Sequence, residues 1–286
     1  MKILIIGSNG QLGWELQRTC PKAYEMTAVD FPEIDITKQV SVTAILNEQK
    51  PDWIINCAAY TNVDKAETDT LAALAINGDG VGHLARATQE IHARMVHVST
   101  DFVFNGNNCR PYRPEDTPDP LSVYGTTKLA GERAVREILK EEALIIRTAW
   151  LYSSHGHNFV HTMIRLMKER PSLNVIDDQI GTPCWANGLA LAVWTAIEKN
   201  LKGIFHWTDA GVASWYDFAV AIQEEAVLAG LLERSIPVIP VPTEQYPTPA
   251  KRPAMSLLDK SRFYSAAGLT PSHWRHQLRR MIQEIS

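Results

Sequence analysis

Short apolar runs recur along the first half of the chain, separated by longer stretches with helical spacing. The runs at Lys2–Ile6, Met26–Val29, Trp53–Cys57, Met95–Ser99 and Leu144–Arg147 are nearly continuous in apolar character, the pattern of strands buried on both faces. Between them, the stretches near 12–19, 38–49, 69–92 and 122–140 predict helices. Strands that alternate with helices pair in parallel through right-handed crossovers. The expected fold is therefore α/β, a doubly wound parallel sheet with helices on both faces.

Beyond about residue 150 the rhythm loosens. Helical patterns near 158–169, 184–199, 215–230 and 271–285 surround strand-like runs at Leu173–Ile176 and Ile204–Trp207. Six of the 16 prolines fall between Pro237 and Pro253, which predicts an extended loop that wraps the domain and shapes a pocket. The expected division is a dinucleotide-binding half over 1–150, completed by about 184–207, and a smaller α/β region over 151–286 that mainly binds substrate.

A chain of 286 residues with 45% hydrophobic and 21% charged residues can bury a sizeable core and is unlike a disordered protein. Its net charge of −4 argues against nucleic-acid partners, which need a basic surface. The opening apolar run is too short for a signal peptide and no later run is long enough to span a bilayer. The four cysteines, Cys20, Cys57, Cys109 and Cys184, are far apart with no C-x-x-C pair. That spacing suits reduced thiols in a cytoplasmic protein, and not a disulfide frame or zinc site.

Chemistry enters at Gly7-Ser8-Asn9-Gly10-Gln11-Leu12-Gly13, which follows the first strand and opens the first helix. There glycines serve a tight turn, close backbone approach to a pyrophosphate and close helix–strand packing, the Rossmann-type arrangement. The helix N-terminus offers free N–H groups and a positive dipole end to the phosphates. A glycine string alone is weak, because a ligand-free turn reads the same way. Asp30, which ends the second strand 17 residues after Gly13, strengthens it, since a carboxylate there accepts from the adenosine ribose hydroxyls. No arginine or lysine immediately follows Asp30, so the pattern leans towards NADH, with NADPH open if a basic side chain arrives from elsewhere.

Tyr124 and Lys128 stand four apart at the start of a predicted helix, which puts both side chains on one face. A free phenol titrates near ~10, and a neighbouring ammonium is expected to lower that value towards the working range of an acid–base catalyst. Thr100 ends the fourth strand, at the carboxyl edge where ligands of such sheets bind, and its hydroxyl can polarise the same carbonyl.

Together these residues resemble the extended short-chain dehydrogenase/reductases. Longer strings narrow the resemblance: Asn9–Leu16, Thr61–Glu67, Ser99–Phe104, Arg147–Tyr152, Asp178–Pro183 and Tyr246–Pro253. Across essentially the whole chain they are similar to the dTDP-4-dehydrorhamnose reductases. The resemblance implies NADH- or NADPH-dependent reduction of the C4 ketone of a dTDP-sugar, the last step of dTDP-L-rhamnose synthesis for cell-surface polysaccharide. It implies Tyr124 as proton donor, Lys128 on the nicotinamide ribose and Thr100 as third catalytic group. Gly7, Gly10, Gln11, Leu12 and Gly13 then serve the pyrophosphate, Asp30, Asp35 and Ile36 the adenosine end, and Ala59, Tyr60 and Thr61 the inner cofactor. Thr100, Asp101, Tyr124 and Trp150 are implied to contact the sugar, and Arg252 a substrate phosphate.

Two positions depart from the family's pattern. Phe102 stands where a tyrosine is usual, and it also lacks the carboxylate that a dehydratase of the superfamily needs after Asp101. Some relatives bridge a dimer with Mg²⁺ through glutamates. Here Glu15 is present but Asn187 replaces a glutamate, and an amide is a poorer ligand for a hard cation. No metal is expected, and a homodimer stays open. So do a related nucleotide 4-keto-deoxysugar as substrate and a non-catalytic role, since a relative of this fold serves as a dinucleotide-binding regulatory subunit.

Overall fold

The computed structural model describes all 286 residues. In the first half, β1 (Lys2–Ile6), β2 (Glu25–Val29), β3 (Trp53–Asn56), β4 (Arg94–Thr100) and β5 (Leu144–Thr148) alternate with helices α1 (Gln11–Thr19), α2 (Gln39–Gln49), α3 (Val63–Ala66), α4 (Thr70–Leu74), α5 (Gly80–Glu90) and α6 (Val123–Leu139). Then come β6 (Leu151–Tyr152), α7 (Phe159–Glu169), β7 (Leu173–Ile176), β8 (Ile180–Gly181), β9 (Cys184–Trp185), α8 (Ala186–Glu198) and β10 (Gly203–His206). The chain closes with β11 (Ala213–Ser214), α9 (Trp215–Leu228), β12 (Val238–Val241), α10 (Ser261–Ala267) and α11 (Trp274–Ile285).

Six strands form one parallel sheet in the order β2-β1-β3-β4-β5-β10. Successive side chains on a strand point to opposite faces, and both faces here are covered. Ile3, Ile5, Ile55, Val96 and Ile146 pack on one side with Leu12 and Leu16 of α1 and Leu189 and Val193 of α8. Leu4, Ile6, Ile54, Met95 and Ile145 pack on the other with helices α2, α5 and α6, through Val42, Leu46, Leu84 and Val135. This two-sided burial is why the strands read as unbroken apolar runs. A third core joins α7, α9 and α11 through Val160, Met163, Phe218, Ile222, Leu278 and Met281. The strand order changes direction between β1 and β3, and a crevice opens beyond the carboxyl ends of the strands at such a switch point.

Two elements differ from the sequence expectation. The single helix expected over 69–92 is interrupted by a π-helical turn, Ala75–Asp79, between α4 and α5. Its buried Asn77 explains the interruption: the amide oxygen accepts from Tyr60 N–H (2.8 Å) and the amide nitrogen donates to Tyr60 O (3.1 Å) and Thr127 Oγ1 (3.2 Å). A widened turn aims that amide inward, and such bulges cluster at functional sites. The proline-rich stretch is also not all loop, because β12 pairs in parallel with β7 from Val238↔Leu173 to Val241↔Ile176. Pro240 is tolerated because this small sheet has only two strands, so each is an edge.

Helix α6 is fastened to β5 by a buried ion pair. Arg147, 1% exposed, meets Glu132, 2% exposed, through Nε–Oε1 at 2.8 Å and Nη2–Oε2 at 2.6 Å. Its Nη1 also donates to Pro114 O (3.3 Å), and the guanidinium lies over the Phe104 ring at 5.1 Å. Removing one member of such a pair strands the other charge away from water. Glu132→Ala is therefore expected to cost about 3–5 kcal/mol of unfolding free energy, read as a lower urea midpoint. A loss below ~1 kcal/mol, the range of an exposed pair, contradicts this view of the anchor.

Candidate active site

The loop after β1 leaves the start of α1 open. Gly10 is its N-cap in extended conformation and provides no side-chain cap, so the first N–H groups of the helix face outward. A Cβ on Gly13 would sit 2.2 Å from Gly7 O, and Gly7 itself has φ +84°, so this close turn requires glycine. Open donors on a tight loop suit a pyrophosphate. Asp30 is fixed by Asn9 N–H and Phe31 N–H, each at 2.8 Å to one carboxylate oxygen. A carboxylate has about four acceptor sites, so capacity remains for ribose hydroxyls.

This loop forms one wall of a cleft of about 1030 Å³. Gly7, Gly10, Gln11, Leu12, Gly13, Asp30, Asp35, Ile36, Ala59 and Thr61 line it, as do Thr100, Asp101, Tyr124, Lys128, Trp150 and Arg252. Tyr60 is the exception among the expected site residues. Its phenol turns to Asp69 (3.1 Å) and its backbone is held by Asn77, so it fixes the loop and forms no wall. Missing from the sequence reading were Phe159, Trp215, Gly156 and His157, which also face the cleft. No local motif marks them, and only the packing of the C-terminal region brings them in.

Helix α6 delivers the tyrosine–lysine pair. Ser122 caps it by accepting from Gly125 N–H at 3.2 Å. A Cβ on Gly125 would lie 2.2 Å from Phe102 O, so glycine lets the helix start press against the turn after β4. Tyr124 therefore sits beside Thr100 and meets Phe102 edge-on, with ring centroids 5.4 Å apart. Lys128, 3% exposed, donates from Nζ to Val98 O at 2.7 Å.

The electrostatics correct one expectation. Burial pushes the Tyr124 phenol up to about 12, countered by the neighbouring Thr100 hydroxyl and reinforced by Asp101. Lys128 does not lower it: its ammonium points at a carbonyl, and burial brings Lys128 itself down to about 8 against the pull of Glu132. Tyr124 is thus held as a neutral phenol, the form that can donate a proton. Asp101 accepts from Thr100 Oγ1 at 2.9 Å, and burial pushes its carboxyl up to about 6.

On the far side, Trp150 follows β5 with φ +47°. A bulky residue in this region carries a strain of about 1–3 kcal/mol and persists only where its surroundings dictate it. Arg252 binds Asp64 through Nη2–Oδ2 at 2.8 Å and Nη1–Oδ1 at 3.1 Å, which ties the proline-rich segment to the Thr61–Glu67 stretch. Away from the cleft, Glu15 is fully buried and accepts from Arg18 Nη2 (2.8 Å) and Asn187 Nδ2 (3.0 Å). No group of three or more His, Cys, Asp or Glu side chains is placed to hold a metal, and no helix is long and apolar enough to cross a membrane.

A parallel sheet with an open glycine loop, and a Thr–Tyr–Lys set on the same cleft, define a dinucleotide-dependent oxidoreductase of the extended short-chain dehydrogenase/reductase class. The chain belongs to the RmlD substrate binding domain family, which it matches over residues 1–286. It is 42% identical over 286 residues to the dTDP-4-dehydrorhamnose reductase of Aggregatibacter actinomycetemcomitans, covering 97% of each chain. The crystal structure of a dTDP-4-dehydrorhamnose reductase from Clostridium acetobutylicum superposes with a TM-score of 0.94 at 41% identity, covering 100% of this chain and 99% of that one. The Bacillus anthracis dTDP-4-dehydrorhamnose reductase, solved in complex with NADP, gives 0.94 at 37% identity and 99% of both chains.

The raised Asp101 carboxyl has a signed consequence for stability. Its folded form holds a proton that the unfolded chain has already released between 3.8 and about 6, so stability falls as pH rises through that window. The gap corresponds to roughly 3 kcal/mol at most. Asp101→Asn is expected to unfold at higher urea than the parent at pH 8, with the advantage gone at pH 4. An equal difference at both pH values contradicts the raised carboxyl.

Proposed function

We propose that the protein reduces the C4 ketone of dTDP-4-dehydro-β-L-rhamnose to the hydroxyl of dTDP-β-L-rhamnose with NADH or NADPH. The observation that carries this reading is the convergence of Thr100, Tyr124 and Lys128 on the cleft that the open start of α1 also faces. The names of the relatives support the substrate, and the NADP bound to the Bacillus anthracis protein supports the cofactor.

The pyrophosphate rests on the loop from Gly7 to Gly13, with Asp30, Asp35 and Ile36 at the adenosine end. Ala59 and Thr61 follow the inner cofactor, with Tyr60 holding their loop, and Lys128 holds the nicotinamide ribose. When bound, the dihydronicotinamide supplies a hydride to C4. Thr100 and Tyr124 hold the ketone oxygen. As its π pair becomes a lone pair, the Tyr124 phenol gives that oxygen its proton, leaving a phenolate that water reprotonates. An alkoxide is far more basic than a phenolate, so a phenol near 12 still transfers its proton downhill. Asp101, Trp150 and Arg252 receive the sugar and a substrate phosphate. In this division residues 1–150, with 184–207, serve the cofactor, and the remaining C-terminal residues mainly shape the substrate side.

The adenosine end carries Asp30 and Asp35, while the basic residues lining the cleft are Lys128, His157 and Arg252. Asp30 there opposes a 2′-phosphate, while Lys38 pairs with Asp35 at 2.9 Å, so the balance leans towards NADH with NADPH still accepted. The test is NADH and NADPH oxidation with a panel of nucleotide 4-keto sugars. The dTDP-6-deoxy substrate should turn over best, and NADH should exceed NADPH in kcat/KM by roughly tenfold, about 1.4 kcal/mol. Dinucleotide binding without turnover of any sugar overturns the enzymatic reading. Tyr124→Phe is expected to lower kcat by roughly 10²–10⁴ with cofactor affinity nearly unchanged, and full activity removes Tyr124 from its role.

A further inference from the structure

The Asp178–Pro183 string is one of the most distinctive in the sequence, yet most of it stands outside the proposed chemistry. Its backbone holds two parts of the substrate side. Ile180 N–H donates to Ala254 O and Ile180 O accepts from Ser256 N–H, both at 2.8 Å, which pins the segment just after Arg252. Gly181, the next residue, abuts the Trp150 indole. A Cβ there would lie 2.5 Å from Trp150 Cε2 and 2.6 Å from Nε1, so no larger residue fits with the ring in place.

The same indole is stacked on Trp215, with centroids 3.6 Å apart and planes 6° from parallel. Trp215 opens α9, directly after the capping residue Ser214, whose strand pairs with β8 at Ser214↔Ile180 and Ala213↔Gly181. Phe159 packs against the outer indole at 4.7 Å. Short strands β8 and β11 thus carry, side by side, the two groups that confine one ring. Trp150 has φ +47°, a backbone state that its own sequence disfavours, so its placement must come from these neighbours.

We infer that Gly181 and Trp215 are positioning residues that hold the Trp150 indole as a fixed wall of the sugar site and so determine sugar affinity and alignment. Gly181 acts through Trp150; Trp215, which itself faces the cleft, adds its stack on Trp150, and both leave the dinucleotide half untouched. The inference rests on the reading above, in which Trp150 contacts the sugar.

The test measures KM for the nucleotide sugar, kcat, and dinucleotide Kd for Gly181→Ala, Trp215→Ala, Trp215→Phe and Trp150→Ala. Gly181→Ala and Trp215→Ala should each raise sugar KM at least roughly tenfold with dinucleotide Kd unchanged, while Trp215→Phe keeps most of the parent behaviour by retaining an aromatic stack. The decisive measurement is the double variant: with Trp150→Ala the atoms that a Gly181 methyl would strike are gone, so adding Gly181→Ala should have little further effect. Additive losses in the double variant, or equal loss of dinucleotide affinity, overturn the positioning role. A Trp150→Ala variant with unchanged sugar KM overturns the placement of the sugar and this inference with it. If Trp150→Ala raises sugar KM and the Gly181 and Trp215 variants do not, the inference alone fails. Trp215→Ala leaves the 181 backbone intact, so the question survives a Gly181→Ala protein that does not fold.

Discussion

The active arrangement depends on helix α6 being fixed against the carboxyl edge of the sheet. That helix carries Tyr124, Lys128 and Glu132 on successive turns, and Glu132 is locked onto Arg147 of β5 deep inside the protein. Two charges taken from water hold their place only with close, bidentate geometry, so the helix has one register against β5. At its start the bare backbone of Gly125 lets α6 touch the turn after β4. Held in its middle and at its start, the helix places a phenol beside the Thr100 hydroxyl.

Burial then sets the chemistry. The same exclusion of water that keeps Tyr124 protonated brings Lys128 down and pushes Asp101 up. A desolvated phenol suits reduction, where the enzyme must give a proton away. The Lys128 ammonium is fixed by the Val98 carbonyl. The site therefore uses burial as its principal control and nearby charges as corrections.

The second half of the chain acts on this site from outside the sheet. The stretch from Tyr246 to Ser256 returns to the first half through the Arg252–Asp64 pair and joins β8 through the Ile180 bridge. Trp150 and Trp215, far apart in sequence, form a single stacked wall. These contacts join a rigid α/β frame to loops and short strands, the usual division between scaffold and recognition surface.

The sequence by itself determined the parallel sheet, because strands buried on both faces must be apolar at every position, and the helices between them must show one apolar stripe. It also determined the glycine loop after β1, since Gly7 and Gly13 meet a steric demand within a few residues of each other. The Tyr124–Lys128 pair was legible for the same reason, as helical spacing is local. What only the tertiary structure decided are matters of distance between remote segments: the π-turn that aims Asn77 at Tyr60, the pairing of β12 through Pro240, the upward shift of Tyr124, and the cleft walls at Phe159 and Trp215. Each arises where burial or a close approach brings together residues that no local period connects, and neither the depth of burial nor the partner across a cleft is encoded in any single stretch of the chain.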